Sequence, residues 1–327
     1  MIKYFAKNLI RLLLLLFFVS VIAFTLIEIS PIDPINAYIN ASDSVSEAQR
    51  AEIATYFEMD KPPVEKFFSW FTNLLSLDFG ISIIYRQPVI NIIADRFSGS
   101  MLLMLTAWIF SGVIGVTFGI IMGANKNTKL DKFLNSICLA ISSVPTFLLG
   151  IVFLILFSVI LKWFPIGFSA PIGVLESEIT LAHRLHHLIL PAITLSFASF
   201  ANIALHAREK LIEILKSDYI LLSKTRCYSK WEIIRRHGLR NMLAPVITIQ
   251  FASLGEIFGG SVLAETVFSY PGLGSTIVEA GLRGDVALLL GITIFSAIFV
   301  FTGNLIANIL YKVVDPKVKL YSKTRKA

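Results

Sequence analysis

Six stretches of the chain are nearly free of charge over the roughly 20 residues that a helix needs to cross a bilayer. They run approximately over 9–29, 100–123, 134–161, 188–207, 243–264 and 286–311. The third is long and contains Pro145, which predicts a kink or a broken helix, and the fourth carries Pro191 near its expected first turn.

Two of the polar connections are too long to be simple loops. In the segment 30–97, Ser44 to Met59 reads as an amphipathic helix. Val64 to Leu77 reads as a second, carrying Phe67, Phe68, Trp70 and Phe71. Together they predict a helical cap lying against the outer membrane surface. The other connection, about 36 residues between the fourth and fifth stretches, holds nine Lys/Arg and four Asp/Glu, too polar to enter hydrocarbon. Within it Ser229-Lys230-Trp231-Glu232 matches a capping box, with Ser229 as N-cap and Glu232 as its N3 partner. The helix that follows is expected to set Trp231, Ile234 and Gly238 on one side and Glu232, Arg235 and Arg236 on another. Leu211 to Lys224 predicts a preceding helix, with the joint near Arg226-Cys227-Tyr228. A short cationic helix beneath a membrane either docks a soluble partner or rests on anionic head groups, and the pattern alone leaves both open.

Composition agrees with a polytopic membrane protein. Of 327 residues 55% are hydrophobic and 16% charged, where soluble domains carry about 25% charge, so an ordinary soluble enzyme is excluded. The 26 Phe residues speak against disorder, and two cysteines, Cys138 and Cys227, imply no disulfide framework. The net charge of +7 is a matter of sidedness rather than of nucleic acid. Segments 1–11, 124–133, 206–242 and 312–327 hold 21 of the 29 Lys/Arg against 6 acids, while 30–97, 162–187 and 265–285 hold 8 against 14. By the positive-inside rule both termini are expected in the cytoplasm. The first stretch has no small-x-small cleavage site before Ser30-Pro31-Ile32-Asp33-Pro34 and reads as an uncleaved anchor.

Catalytic signatures are missing from the sequence. There is no Gly-x-x-x-x-Gly-Lys-Ser/Thr phosphate loop, no His-Glu-x-x-His and no Gly-x-Ser-x-Gly, so no catalytic residue and no cofactor is expected. Any ATP that drives transport must be hydrolysed by another polypeptide. His183 and His187 stand four apart with His186 between them; two ligands alone hold a metal weakly, so they are metal candidates only in the thinnest sense. Glu256 lies inside the fifth stretch, where an acid must face the bundle interior, water or a hydrogen-bonding partner. Gly255, Gly259, Gly260 and Ser261 around it permit close helix approach. Pro271-Gly272-Leu273-Gly274 is turn chemistry followed by the apolar Ser275 to Leu282, read here as a re-entrant hairpin at an outer mouth. Arg283 and Asp285 are expected to pair.

At the basic connection the chain resembles a known family, the inner-membrane permease subunits of binding-protein-dependent ABC importers of the dipeptide, oligopeptide and nickel group. Asp218-Tyr219, Ser223, Thr225, Arg226-Cys227 and Arg236-His237-Gly238-Leu239-Arg240-Asn241 up to Pro245 look like that group's ATPase-coupling loop. Cys227 stands where the family usually has a turn glycine, and Leu222-Ser223 where it has a small pair. Gly259 to Gly274, which includes Glu265, Tyr270, Pro271, Gly272 and Gly274, is similar to the family's stretch leaving the fifth span. Asp315-Pro316-Lys317, Ser30 to Pro34, Asp78-Phe79-Gly80 and Pro88-Val89 match further family motifs.

The resemblance implies an all-α, six-span permease of the type I ABC importer fold. Its parts would be an N-terminus with the first span (1–29), an extracytoplasmic cap (30–97), a five-helix core (98–312) with a coupling loop at 208–242, and a basic cytoplasmic tail (313–327). It implies as partners a second homologous permease, two ABC ATPases, an extracytoplasmic solute-binding protein and membrane lipid, with no nucleic acid. Asp218, Tyr219, Arg226, Cys227, Trp231, Arg235, Arg236, His237 and Arg240 would meet the ATPase, and Glu256, Glu265, Pro271, Gly272 and Gly274 would line the pathway or its outer mouth. Peptides are the expected solute, with nickel or a metallophore complex as the alternative. From another class, a stand-alone channel or secondary transporter fits poorly, because only Glu256 is deeply placed. A non-transporting scaffold leaves the outer hairpin unexplained.

Overall fold

The computed structural model describes residues 2–29, 61–225 and 228–314, together with Ser46 and Thr55. The expected helix at 44–59, the motifs at 30–34 and 315–317, and the joint at Arg226-Cys227 lie outside the described residues. Twelve α-helices are described: α1 (Ile2–Glu28), α2 (Pro63–Leu75), α3 (Val89–Ala124), α4 (Lys129–Ser142), α5 (Thr146–Phe153), α6 (Leu181–Leu215), α7 (Asp218–Thr225), α8 (Lys230–Ile233), α9 (Leu239–Ala252), α10 (Leu254–Val267), α11 (Leu273–Arg283) and α12 (Val286–Val314). Wider π-helical turns extend α5 over Leu154–Ile160 and join α8 to α9 over Ile234–Gly238.

Three helices are long and apolar enough to span a membrane without a break: α1, α3 and α12. Among the described residues, three bent pairs bring the number up to six when each pair is counted as one span, the number the hydropathy pattern predicts. α4 and α5 meet at 105°, with Pro145 as the N-cap of α5. The proline that predicted a kink therefore marks a sharp break, because its ring denies the N–H that would continue α4. α9 and α10 bend by 40° at Ser253. α6 bends by 52° between Leu181–Phe197 and Ser199–Leu215. Its start differs from expectation. Thr180 caps the helix by accepting from His183 N, so Pro191 sits three turns inside it rather than near its first turn. Back-bonding by Thr194 to Leu190 O and by Ser196 to Ile193 O loads the same stretch with the hydroxyl contacts that bend helices.

The chain divides into two compact units, 1–100 with 271–301 and 101–270 with 302–327. In the first, α2 packs its aromatic face on α1: Phe67 meets Phe24 edge-on at 5.4 Å, Phe71 meets Phe17 at 6.2 Å, and Lys66 Nζ reaches Glu28 at 3.0 Å. Val89, Ile92 and Ile93 of α3 form a core with Leu273, Ala280, Leu288 and Ile292. Gly284 (φ 69) ends α11 in the left-handed conformation. That turn sends Asp285 inward, fully buried. Asp285 accepts from Ser82 Oγ (2.6 Å), Ile84 N (3.0 Å) and Leu288 N (3.1 Å), so it caps α12 and clamps the turn at 82–84. Arg283 pairs instead with Glu279 at 3.3 Å, one turn back on its own helix. The expected Arg283–Asp285 pair does not form, because the left-handed turn parts the two side chains.

In the second unit a glycine stripe on α3, Gly112, Gly115, Gly119 and Gly123, sets that helix close to its neighbours. A Cβ on Gly115 would stand 2.8 Å from Ile203 Cβ and 2.9 Å from Phe200 O; one on Gly119 would collide with Ala207 of α6. Such small-residue seams let membrane helices gain van der Waals contact and close backbone approach. Trp108 and Gln250 tie α3 to α9 with reciprocal bonds, Trp108 Nε1 to Gln250 O (2.8 Å) and Gln250 Nε2 to Trp108 O (2.6 Å).

Candidate functional site

The basic connection folds into α7, α8 and the π-helical turn. Ser229 caps α8 as its sequence predicts, accepting from Glu232 N at 3.3 Å. Glu232 turns forward to Arg236 (3.0 Å), whose guanidinium also lies 5.2 Å over the Tyr228 ring. The expected preceding helix is not one piece: α6 runs through Leu211 to Leu215, breaks at Lys216-Ser217, and α7 begins at Asp218.

Burial on α8 departs from the expected sides. Ile233, Ile234 and Gly238 are buried, Gly238 close against Leu211, while Trp231 is 63% exposed. Trp231 still shares one wall of a groove with Ile234, but its indole lies at the open edge. Asp218, Tyr219, Trp231, Arg235, Arg236 and Arg240 are exposed and His237 is half-buried. Asn241 Nδ2 donates to Tyr219 Oη at 3.3 Å, tying α7 to α9. This unit thus gathers an indole, a phenol and three guanidinium groups on short, capped helical turns. Arg226 and Cys227 lie outside the described residues.

Beneath this surface is an ion pair that no motif pointed to. Asp131, in the first turn of α4 and 1% exposed, accepts from Arg208 Nε (2.6 Å) and Nη2 (2.8 Å) on α6 and from Asn127 N (2.9 Å). A bidentate pair of this kind fixes direction as well as distance. The opposite charges lie 77 residues apart in the chain, so no local pattern reveals them. The glycine stripe, by contrast, has a local signal that the sequence reading passed over, a three-and-four spacing over 112–123.

On α10, Glu256 stands in an exposed row with Gly259, Leu263 and Thr266, spaced as one helix stripe. Nothing lies within 4 Å of the place where a Gly259 Cβ would be, whereas one on Gly260 would come 2.9 Å from Leu195 on α6. The small residues thus divide: Gly260 and Ser261 face the bundle, and Gly259 leaves the Glu256 row open. Glu265 is fully buried, and its carbonyl accepts from Tyr270 N at 2.8 Å. Pro271, Gly272 and Gly274 belong to the other unit. There Gly272 starts α11 and accepts from Thr276 Oγ1 (2.7 Å), and Leu273 N donates to Ser100 Oγ (2.8 Å). The apolar segment after the turn is a helix with Leu273, Gly274, Thr276 and Ala280 buried.

The histidines have structural work. His183 closes the cap of α6 with Thr180, His186 Nε2 donates to Trp163 O (2.8 Å) and His187 Nδ1 donates to Gly167 O (2.8 Å). They pin the segment 163–167 to α6. Among the described residues no group of three His, Cys, Asp or Glu is placed to hold a metal.

Residues 115–320 match the family described as the binding-protein-dependent transport system inner membrane component. The chain belongs to this family. It is 32% identical over 302 residues to the oligopeptide transport system permease protein AppB of Bacillus subtilis (strain 168), covering 92% of this chain and 94% of that protein. It is 31% identical over 322 residues to the glutathione transport system permease protein GsiC of Escherichia coli (strain K12), covering 98% and 99%. Among solved structures it is similar to the MetNI methionine ABC transporter in inward-facing conformations, with a TM-score of 0.57 and 16% identity over 69% of this chain and 97% of that one. This last likeness shows the fold, the all-helical importer permease that the sequence predicts. The protein is therefore a multi-pass inner-membrane transport subunit and not an enzyme. Its family works with an ATPase, on a separate subunit, and with a solute-binding protein.

Proposed function

We propose that this subunit translocates short peptides as one half of a transmembrane pair, driven by two ATPase subunits and fed by the binding protein. The observation that carries the solute class is likeness over nearly the whole chain to two permeases named for an oligopeptide and for glutathione, itself a tripeptide. The nickel reading loses its motive at the residue scale, since the three histidines are engaged with the cap of α6 and with backbone carbonyls. Family membership also removes the reason to favour a stand-alone channel or secondary transporter.

In this reading the capped helix at Ser229 to His237 is the lever. ATP-driven closure of the ATPases pushes on Trp231, Arg235 and Arg236, and the buried Ile233, Ile234 and Gly238 pass the push to α6, against which Gly238 packs. The Glu256 row on α10 faces the second permease and the pathway, which is why a helix inside an apolar bundle keeps an acid on an open face. Pro271, Gly272 and Gly274 start the helix at the outer mouth. In this reading both termini lie in the cytoplasm, which the bias of Lys and Arg supports.

Uptake into cells lacking this chain, compared with cells in which it is restored, tests the solute class. Restored uptake of a labelled short peptide, with no gain in labelled nickel, is expected. Nickel uptake without peptide uptake contradicts the proposal.

A further inference from the structure

Two cavities join on the second unit where α3 leaves its membrane-crossing stretch. The first, about 430 Å³, is lined by Thr117, Ile120, Ile121 and Ala124 of α3 with Trp231 and Ile234 on the far wall. It is an apolar groove along the last two turns of a helix that spans the bilayer. The second, about 240 Å³, is lined by Lys126, Lys216 and Lys230 with the neutral polar Asn125 and Thr128 and with small and apolar residues. The two share Ala124, Asn125 and Lys230, so the groove opens into the lysine cluster.

No acid lines either cavity among the described residues. Of the carboxylates on the neighbouring turns, Asp131 pairs with Arg208 (2.6 Å), Glu213 with Lys210 (2.8 Å) and Glu232 with Arg236 (3.0 Å), while Asp218 is exposed and outside the lining. The contact with Lys216, ahead of desolvation and of the charges on Lys216 and Arg208, holds the Lys126 ammonium below the usual lysine range, with the Asp131 carboxylate acting the other way. Like charges are thus drawn together with no acid in the lining and Asp131, already paired with Arg208, as a partial counterweight, and a bound anion would relieve the remaining repulsion. Trp231 stands at the rim, a residue type suited to the head-group level.

We infer that these joined cavities hold one anionic phospholipid, its phosphate among Lys126, Lys216 and Lys230 and an acyl chain along Ile120, Ile121 and Ala124. Positive charge at the end of an apolar groove on a spanning helix matches an amphipathic anion. A soluble acidic segment would find no use for the groove, and a free phosphate would leave it empty. Basic pockets between membrane helices bind acidic head groups by the same physics. The site lies beside the lever helix, since Lys230 and Trp231 belong to both. The inference stands apart from the peptide reading, because it concerns the bilayer and not the solute.

The test is native mass spectrometry of the whole transporter, expressed with its partner subunits, delipidated and then offered lipids with matched acyl chains. Phosphatidylglycerol is expected to stay bound and phosphatidylcholine to be lost, with millimolar inorganic phosphate displacing neither. Changing all three residues, Lys126→Gln, Lys216→Gln and Lys230→Gln, is expected to weaken retention about a hundredfold, at the usual strength of surface lysines toward acidic lipid. Ala124→Trp keeps the lysines but fills the junction of the cavities, and it too is expected to release the lipid. For the unaltered protein, high salt is expected to weaken phosphatidylglycerol retention, which keeps the test valid if a variant fails to fold. Equal retention of phosphatidylcholine, displacement by phosphate alone, salt-independent retention, or exclusion of lipid whenever the ATPase is bound would each overturn the inference; the last would assign the surface to the ATPase.

Discussion

At the scale of single residues, two buried carboxylates hold the chain together at places remote in sequence. Asp131 and Arg208 join α4 to α6, and Asp285 locks the turn at 82–84 to the start of α12. A buried acid is costly unless its charge is matched, so removing one partner costs more than the pair itself contributes. Arg208→Ala leaves Asp131 1% exposed without its cation and is expected to destabilise the protein by about 3 kcal/mol, the low end for a broken buried pair because Arg208 keeps some contact with water. Thermal unfolding in detergent reads this as a lowered midpoint, and the double change Arg208→Gln with Asp131→Asn should recover part of it. An unchanged midpoint for the single variant would deny the pair its role. Sequence placed Asp285 wrongly for a definite reason: Arg283 and Asp285 look paired on paper, but Gly284 takes φ 69 between them. The Ser229 cap was legible because all its partners lie within four residues.

Among the elements, helices were legible and their junctions were not. Uncharged length located all six spans. Pro145 announced a break, but the 105° between α4 and α5 is not encoded in the local pattern. Pro191 misled because Thr180 starts α6 eleven residues earlier, and a long helix tolerates an interior proline when nearby side chains absorb the freed backbone group. The capping box fixed where α8 begins, while the exposure of Trp231 emerged only from the fold. That exposure makes Trp231 and the adjacent guanidinium groups the direct test of the lever. Trp231→Ala, or Arg235→Glu with Arg236→Glu, is expected to cut ATPase recovered by co-purification at least tenfold, the loss expected when an aromatic or arginine anchor is removed from an interface. Undiminished co-purification together with undiminished uptake would refute the lever.

For the whole molecule, hydropathy located the class and six candidate spans, and charge bias predicts the orientation. The site was less legible: the coupling residues came from the resemblance, and the exposure of the Glu256 row emerged only from the folded helix. Orientation has its own check in a chain lacking Cys227. A cysteine introduced at Ser169 is expected to react with a membrane-impermeant maleimide in intact cells, and one at Ser322 only after permeabilisation; the reverse pattern would invert the topology. The central claim is that this chain passes peptide only when a separate ATPase drives it. Purified transporter in proteoliposomes, given the binding protein and a labelled short peptide, measures that claim most directly. The account predicts uptake that requires both ATP and the binding protein and is lost with Trp231→Ala. Peptide uptake that proceeds without ATP, or that an ion gradient alone sustains, would contradict it.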